Sequence, residues 1–235
     1  MSSFTNSDLK KNIQESLGLT DHDNENELLK EAYATQPKHH DLPTELLSMA
    51  NKKSHVELYK GYVEKFNRVS AELDGVNRAE ADSNYSKFRS LKLDEAHNMN
   101  AVYLHELYFS NISDLHSNIS MDSLSYMRLS RDFGTFDDWQ NDFIACCLSS
   151  RCGWAVTVYS TYLQRYINCV VDLHSAQVPM GTYPVIVMDM WQHSYYRDYL
   201  TDVRTYVHAM MKQLNWTVIE DRINRAEKIQ HALRT

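Results

Sequence analysis

Glycine and proline are scarce, 6 and 4 among 235 residues, about a third of average usage. That scarcity excludes collagen-like and linker-rich chains and argues against a turn-dense all-β fold, so a helix-rich protein is expected. No run approaches the roughly 18 apolar residues of a membrane helix, and the opening MSSFTNSDLKK carries no apolar stretch behind its polar start. A cytoplasmic protein with no membrane partner is expected. Positive charge is also short: 24 Lys and Arg stand against 31 Asp and Glu, a net charge of −7. Such a field repels phosphate backbones, and no nucleic-acid partner is expected. The four cysteines, Cys146, Cys147, Cys152 and Cys169, lack the paired CxxC spacing of zinc and thiol-exchange sites. They read as buried, reduced thiols.

What is present is 43% hydrophobic residues, enough for a packed core in a chain of this length. Residues 1–41 are polar, with one weak helical pattern at Leu28, Leu29 and Ala32, and form an N-terminal extension. From Pro43, the apolar positions Leu46, Leu47, Ala50, Leu58, Tyr62 and Phe66 predict a long amphipathic helix to about Leu73, stopped at Asp74-Gly75. Leu91, Ala101, Leu104, Leu107 and Tyr108 predict a second helix to about Phe109, so that residues 42–112 form an antiparallel helical hairpin. Residues 113–235 differ. Thr135 is placed to cap the helix DDWQNDFIACCLSS, WAVTVYSTYLQRYINCVVDL is rich in β-branched and aromatic residues, and PVIVM follows the turn signal Pro179-Met180-Gly181 as a buried strand. Helical spacing returns from Val203 to about Ala232. The fold class is therefore α+β: a helical hairpin followed by a C-terminal domain with a small antiparallel sheet flanked by helices.

Eleven histidines are the informative residues. His55 and Tyr62 are seven apart, only about 20° around a helix axis, and share a face with Leu58. His105 lies between Leu104 and Leu107, on the side a hairpin turns toward the first helix. Asp189 ends the PVIVM strand and His193 follows four residues later. A single inward histidine is ordinarily a satisfied core residue, and an Asp-x-x-x-His pair also occurs at plain helix starts. His39-His40, in a polar stretch beside Pro37, reads as solvated. Three histidines and one carboxylate meeting in one cavity, however, form a nitrogen and oxygen site suited to iron or manganese, with no thiolate to favour zinc or copper(I).

Several motifs, in order, resemble the iron/manganese superoxide dismutase family over roughly residues 43–230. FGTFDDWQNDF resembles the family's FGSF-type helix start, Cys152-Gly153-Trp154 its G-W element, and DMWQHSYYRDY its DxWEHAYYxDY signature; VRTYVHAMMKQLNWTVIEDRI resembles its closing helix. The resemblance implies superoxide as substrate, one Fe or Mn ion per chain, and a homodimer. It implies that His105, Asp189 and His193 are metal ligands. The first ligand falls by count from Tyr62-Val63 on Ser54 and by chemistry on His55. His55 is the expected ligand, and Ser54 with an incomplete site is the alternative. Tyr62 matches the gate tyrosine at the substrate entrance, His174 the loop position where family members carry a Gln or His bonded to the solvent at the metal, and Trp154 and Trp191 the aromatic walls of the pocket.

Two departures stand out. Gln192 replaces the glutamate that in the family reaches the partner's ligand histidine, and a neutral amide cannot supply the same charge-assisted bond. The family's interface histidine is replaced by Leu58 or Tyr59, so a divergent dimer interface is expected. These departures and the polar extension motivate an alternative from another class, a dismutase-fold protein without turnover that acts as a binding or assembly component. A non-haem iron oxygenase with two histidines and a carboxylate would also need an open coordination face and a cosubstrate pocket, and nothing in the sequence signals either.

Overall fold

The structure is a computed structural model and describes residues 35–114 and 118–232. The weak helical pattern at Leu28, Leu29 and Ala32 lies outside the described residues. Among the described residues, two long helices come first, α1 (Met49–Gly75) and α2 (Lys87–Asn111). Then follow α3 (Leu124–Phe133), α4 (Phe136–Ser149), β1 (Gly153–Ser160), β2 (Arg165–Asp172) and β3 (Thr182–Asp189). The chain closes with α5 (Gln192–Tyr199), α6 (Val203–Met211) and α7 (Trp216–Ala232). This is the expected α+β arrangement.

The helix boundaries follow their caps. The first helix begins at Met49 rather than near Pro43 because Ser48 is the residue whose hydroxyl accepts the Asn51 N–H, satisfying an orphan donor of the first turn. Thr135 caps α4 as expected, accepting the Asp138 N–H at 3.0 Å. The single helix expected over Val203–Ala232 is instead two. Asn215 breaks it, its N–H donating to the Asn111 carbonyl at 2.7 Å and its side chain accepting the Val218 N–H at 3.2 Å, so the chain restarts as α7 with a tie to the end of α2.

The sheet is antiparallel in the order β2-β1-β3. The central strand β1 is buried along its whole length, as a strand covered on both faces must be. Its register sets Trp154 opposite both Val171 and Asp189. Gly153 permits this: a Cβ there would stand 2.1 Å from the Val171 carbonyl oxygen, so no other residue fits without moving the neighbouring strand.

Three sets of contacts fix the hairpin against the rest. The α1 start is tied to α5 by Asn51 Nδ2 donating to the Ser194 carbonyl at 3.0 Å, by the Ser48 N–H donating to Asp198, and by Tyr199 donating to the Leu46 carbonyl. Arg222 of α7, 5% exposed, donates to Asn111 Oδ1 and the Leu107 carbonyl of α2 and to the Val185 carbonyl of β3. That buried guanidinium pins α2 to β3, and its hydrogen bonds satisfy the donors that burial would otherwise leave costly. Residues 35–41 run along the hairpin: the Thr35 backbone pairs with Asn67, the Lys38 N–H donates to Tyr59, and the Lys38 ammonium pairs with Glu106. His39 is solvent-exposed, but His40 is not the solvated residue expected. Its ring packs 5.6 Å from Tyr59 and 5.1 Å from Phe109.

Candidate metal centre

Four side chains from four elements converge at the junction of hairpin and sheet. His55 comes from α1, His105 from α2, Asp189 from the end of β3 and His193 from the first turn of α5. Their nearest ligand atoms all lie within 4.8 Å of one another, an arrangement that could hold a metal ion. Three Nε2 atoms face one carboxylate oxygen: Asp189 Oδ2 is 3.1 Å from His55, 3.3 Å from His193 and 3.7 Å from His105. Ser54, the competing residue, is exposed, and its hydroxyl donates back to the Asn51 carbonyl. Within a regular helix, the step from Ser54 to His55 turns the side chain by about 100°, and it is His55 that faces the cluster.

Neighbouring groups hold each member in orientation. His105 Nδ1–H donates to the Ala101 carbonyl at 2.6 Å, which leaves its Nε2 with a free lone pair. That Nε2 is buried and has no hydrogen-bond partner, a costly state that a cation relieves. Asp189 Oδ1 accepts the Trp191 N–H at 2.8 Å, so Oδ2 is the oxygen turned to the histidines. The Asp189 backbone carbonyl accepts from Tyr206 at 2.8 Å and from Ser194 at 3.0 Å, and Tyr206 in turn bonds Tyr108.

Burial sets the charge states. It drives the His105 imidazole down to about 3, against the pull of Asp189, and it also lowers His55. Burial would raise the Asp189 carboxyl, but the His193 and His55 rings more than reverse this and hold it well below the usual carboxylate range. His55 and His105 are therefore neutral imidazoles beside an ionised Asp189 carboxylate, the protonation states that ligands require. A set of three nitrogens and one oxygen, without sulfur, suits iron or manganese, so the residues present fit such an ion.

Beside the cluster stands a second row. Trp154 Nε1 donates to His174 Nδ1 at 3.0 Å, and His174 Nε2 lies 3.0 Å from Tyr62 Oη. Trp191 stacks on His174 at 5.0 Å and on His193 at 5.9 Å, while Trp154 meets the His105 ring edge-on at 4.9 Å. His174 is fully buried because Leu173 adopts a left-handed φ of 55°, a conformation costing roughly 1 kcal/mol, which leaves Leu173 outward and turns the next side chain in. Gln192 is exposed at the start of α5 and does not join the group within one chain.

Two features of the site lie outside the sequence motifs. Tyr59 is buried and donates to Glu106 Oε1 at 2.9 Å, so the position four residues after His55 faces inward. His97 of α2 packs its ring 4.7 Å from His174 and 6.3 Å from Tyr62. Its trace in the sequence is the spacing His97, Ala101, His105, a helical i, i+4, i+8 stripe.

Known proteins match over the same span. The sequence model for "Iron/manganese superoxide dismutases, C-terminal domain" matches residues 123–222. "Superoxide dismutase [Fe]" of Aquifex aeolicus (strain VF5) is 34% identical over 205 residues, which cover 85% of this chain and 95% of that protein. "Superoxide dismutase [Fe]" of Cupriavidus metallidurans is 32% identical over 179 residues, 74% of this chain and 88% of that protein. "Superoxide dismutase [Mn] 1" of Halobacterium salinarum is 29% identical over 172 residues, 73% and 84% of the respective chains.

Proposed function

Because the chain belongs to the iron/manganese superoxide dismutase family, we propose that it converts superoxide to oxygen and hydrogen peroxide at one iron or manganese ion held by His55, His105, Asp189 and His193. The observation that carries this reading is the buried, partnerless His105 Nε2 in a group of four ligand atoms within 4.8 Å. When bound, iron or manganese would supply the one-electron exchange that oxidises one superoxide and reduces the next.

Two superoxide ions and two protons give one oxygen and one peroxide, and the chain's own residues manage the protons. His174 Nδ1 accepts from Trp154, so in the neutral ring the proton sits on Nε2 and is donated to Tyr62 Oη. The Tyr62 hydroxyl hydrogen is thereby left for a bound anion or solvent. Burial, with Asp189 nearby, raises the Tyr62 phenol above its ordinary value, which keeps it a proton donor at neutral pH. Tyr62 and His174 are the proposed proton-handling pair, and Trp154 and Trp191 wall them in and exclude competing water.

The same reading makes the working unit a homodimer, with the exposed Gln192 and Tyr196 on the shared face. It places the protein in the cytoplasm, where four free cysteines stay reduced; no helix among the described residues is long and apolar enough to cross a membrane. The test is superoxide consumption by purified protein, normalised to the iron and manganese measured on the same sample. Turnover in proportion to one metal supports the enzyme and names its ion. A metal-loaded chain without turnover overturns the enzyme reading in favour of the binding or assembly component.

A further inference from the structure

Of the residues that would hold the ion, His193 keeps a quarter of its side chain exposed and the other three are sealed. His55 is 1% exposed, and His105, Asp189 and His174 are 0% exposed, whereas Tyr62 and His97 are partly exposed. Of the hairpin's rings beside His174, then, Tyr62 and His97 are the partly exposed ones; Trp191 and His193, at the start of α5, are partly exposed as well. Both nitrogens of His174 are already engaged, by Trp154 and by Tyr62. His97 meets His174 with its ring at 71° and 4.7 Å, so what reaches the site from His97 is its charge rather than a hydrogen bond. A second cation stands nearby: Lys65 Nζ lies 5.4 Å from the centre of the Tyr62 ring, on an exposed side chain.

We propose that His97 is a charge gate at the mouth of the site: protonated, it joins Lys65 in a cationic rim beside Tyr62 that raises the affinity for a small monoanion such as superoxide, and neutral, it leaves Lys65 alone. The inference rests on the metal-site reading above and adds a specificity-determining residue to it. The groups facing His97 are Tyr62 and Lys65 from α1, Asp94 from its own helix, and His174 from the loop after β2. Burial lowers the His97 imidazole below its ordinary value, Asp94 opposing and Lys65 adding to the effect. The ring therefore gains its proton only below the pH at which a free imidazole does. A unit charge at this range, partly screened by solvent, changes the affinity for a monoanion by roughly threefold to tenfold.

Azide, a linear triatomic monoanion, serves as the probe on the metal-loaded full chain, its binding followed by the change in the ion's absorption and by calorimetry between pH 5 and 8. The metal content of every sample is measured alongside. The expected result is that His97→Gln binds azide roughly threefold to tenfold more weakly than the wild type at pH 5 but equally at pH 8. His97→Arg is expected to keep the tight, low-pH affinity up to pH 8, which a merely structural role for the ring would not produce. In the metal-free chain, the His97 imidazole NMR signal, identified by its loss in His97→Gln, is expected to titrate below the ordinary value. Bound metal with an azide profile unchanged in both variants overturns the gate and leaves the dismutase reading standing; a chain that binds no metal overturns both.

Discussion

Trp154 donates its indole N–H to His174 Nδ1 at 3.0 Å, and this bond decides which nitrogen of a buried histidine carries the proton. The indole is held there by the sheet, since Trp154 lies opposite Asp189 in the β1–β3 register and Gly153 lets β2 approach closely enough to close the other side. A strand register thus fixes a tautomer, and the tautomer fixes the direction of the hydrogen bond to Tyr62.

Trp154→Phe keeps most of the ring and removes the donor, so His174 is free to take its proton on either nitrogen. The metal-normalised rate is expected to fall by roughly tenfold to a hundredfold, as when partners that orient a site's residues are lost, with metal content unchanged. Steady-state superoxide consumption with parallel metal analysis checks this; an unaltered rate would show that the indole bond does not set the proton's position.

His105→Ala removes the nitrogen that the burial pattern leaves without a partner, and the variant is expected to lose its metal on dialysis. Ser54→Ala is expected to retain it and to shift stability by no more than about 0.5 kcal/mol, because Ser54 is exposed and bonds only within its own helical turn. Metal loss in Ser54→Ala but not in His55→Ala would mean that the helix presents the other face to the ion.

Acid should weaken the metal-free fold through its buried imidazoles. Burial holds His105 at about 3, and burial together with His97 holds His174 at about 4, whereas in the unfolded chain both take up protons near 6.5. Between those values the unfolded state binds more protons, so stability falls as pH drops through the window. Asp189, held below its unfolded value, contributes stability above that value and loses it only at still lower pH. Urea denaturation of metal-free protein is expected to show a loss of about 1–2 kcal/mol per buried histidine from pH 7 to pH 5, and a flat midpoint across that range would contradict the buried, neutral state of these rings.

Gln192→Glu restores a charged acceptor on the exposed start of α5. In a dimer that pairs this face with its copy, the new charge-assisted bonds are expected to lower the dissociation constant by about tenfold. Sedimentation velocity on dilute protein reads the change, and an unchanged distribution would place the interface elsewhere.

The chain's periodicities by themselves determined the hairpin, the strands and the inward histidines, because the spacing of apolar residues reports the face each element buries. Thr135 before an acidic first turn was likewise readable, since caps demand particular residue types, whereas the close approach that Gly153 permits emerged only with the β1–β2 pairing. Other features were decided by contacts between residues far apart in the chain. The break at Asn215 depends on a carbonyl more than a hundred residues away; His40 is sheltered by Tyr59 and Phe109 rather than by its neighbours; and His97 matters only because the loop after β2 folds His174 against it. Helical spacing states which residues share a face, but the charge state and proton position of a ring are set by desolvation and by the one partner within hydrogen-bond reach, and only the tertiary structure supplies those.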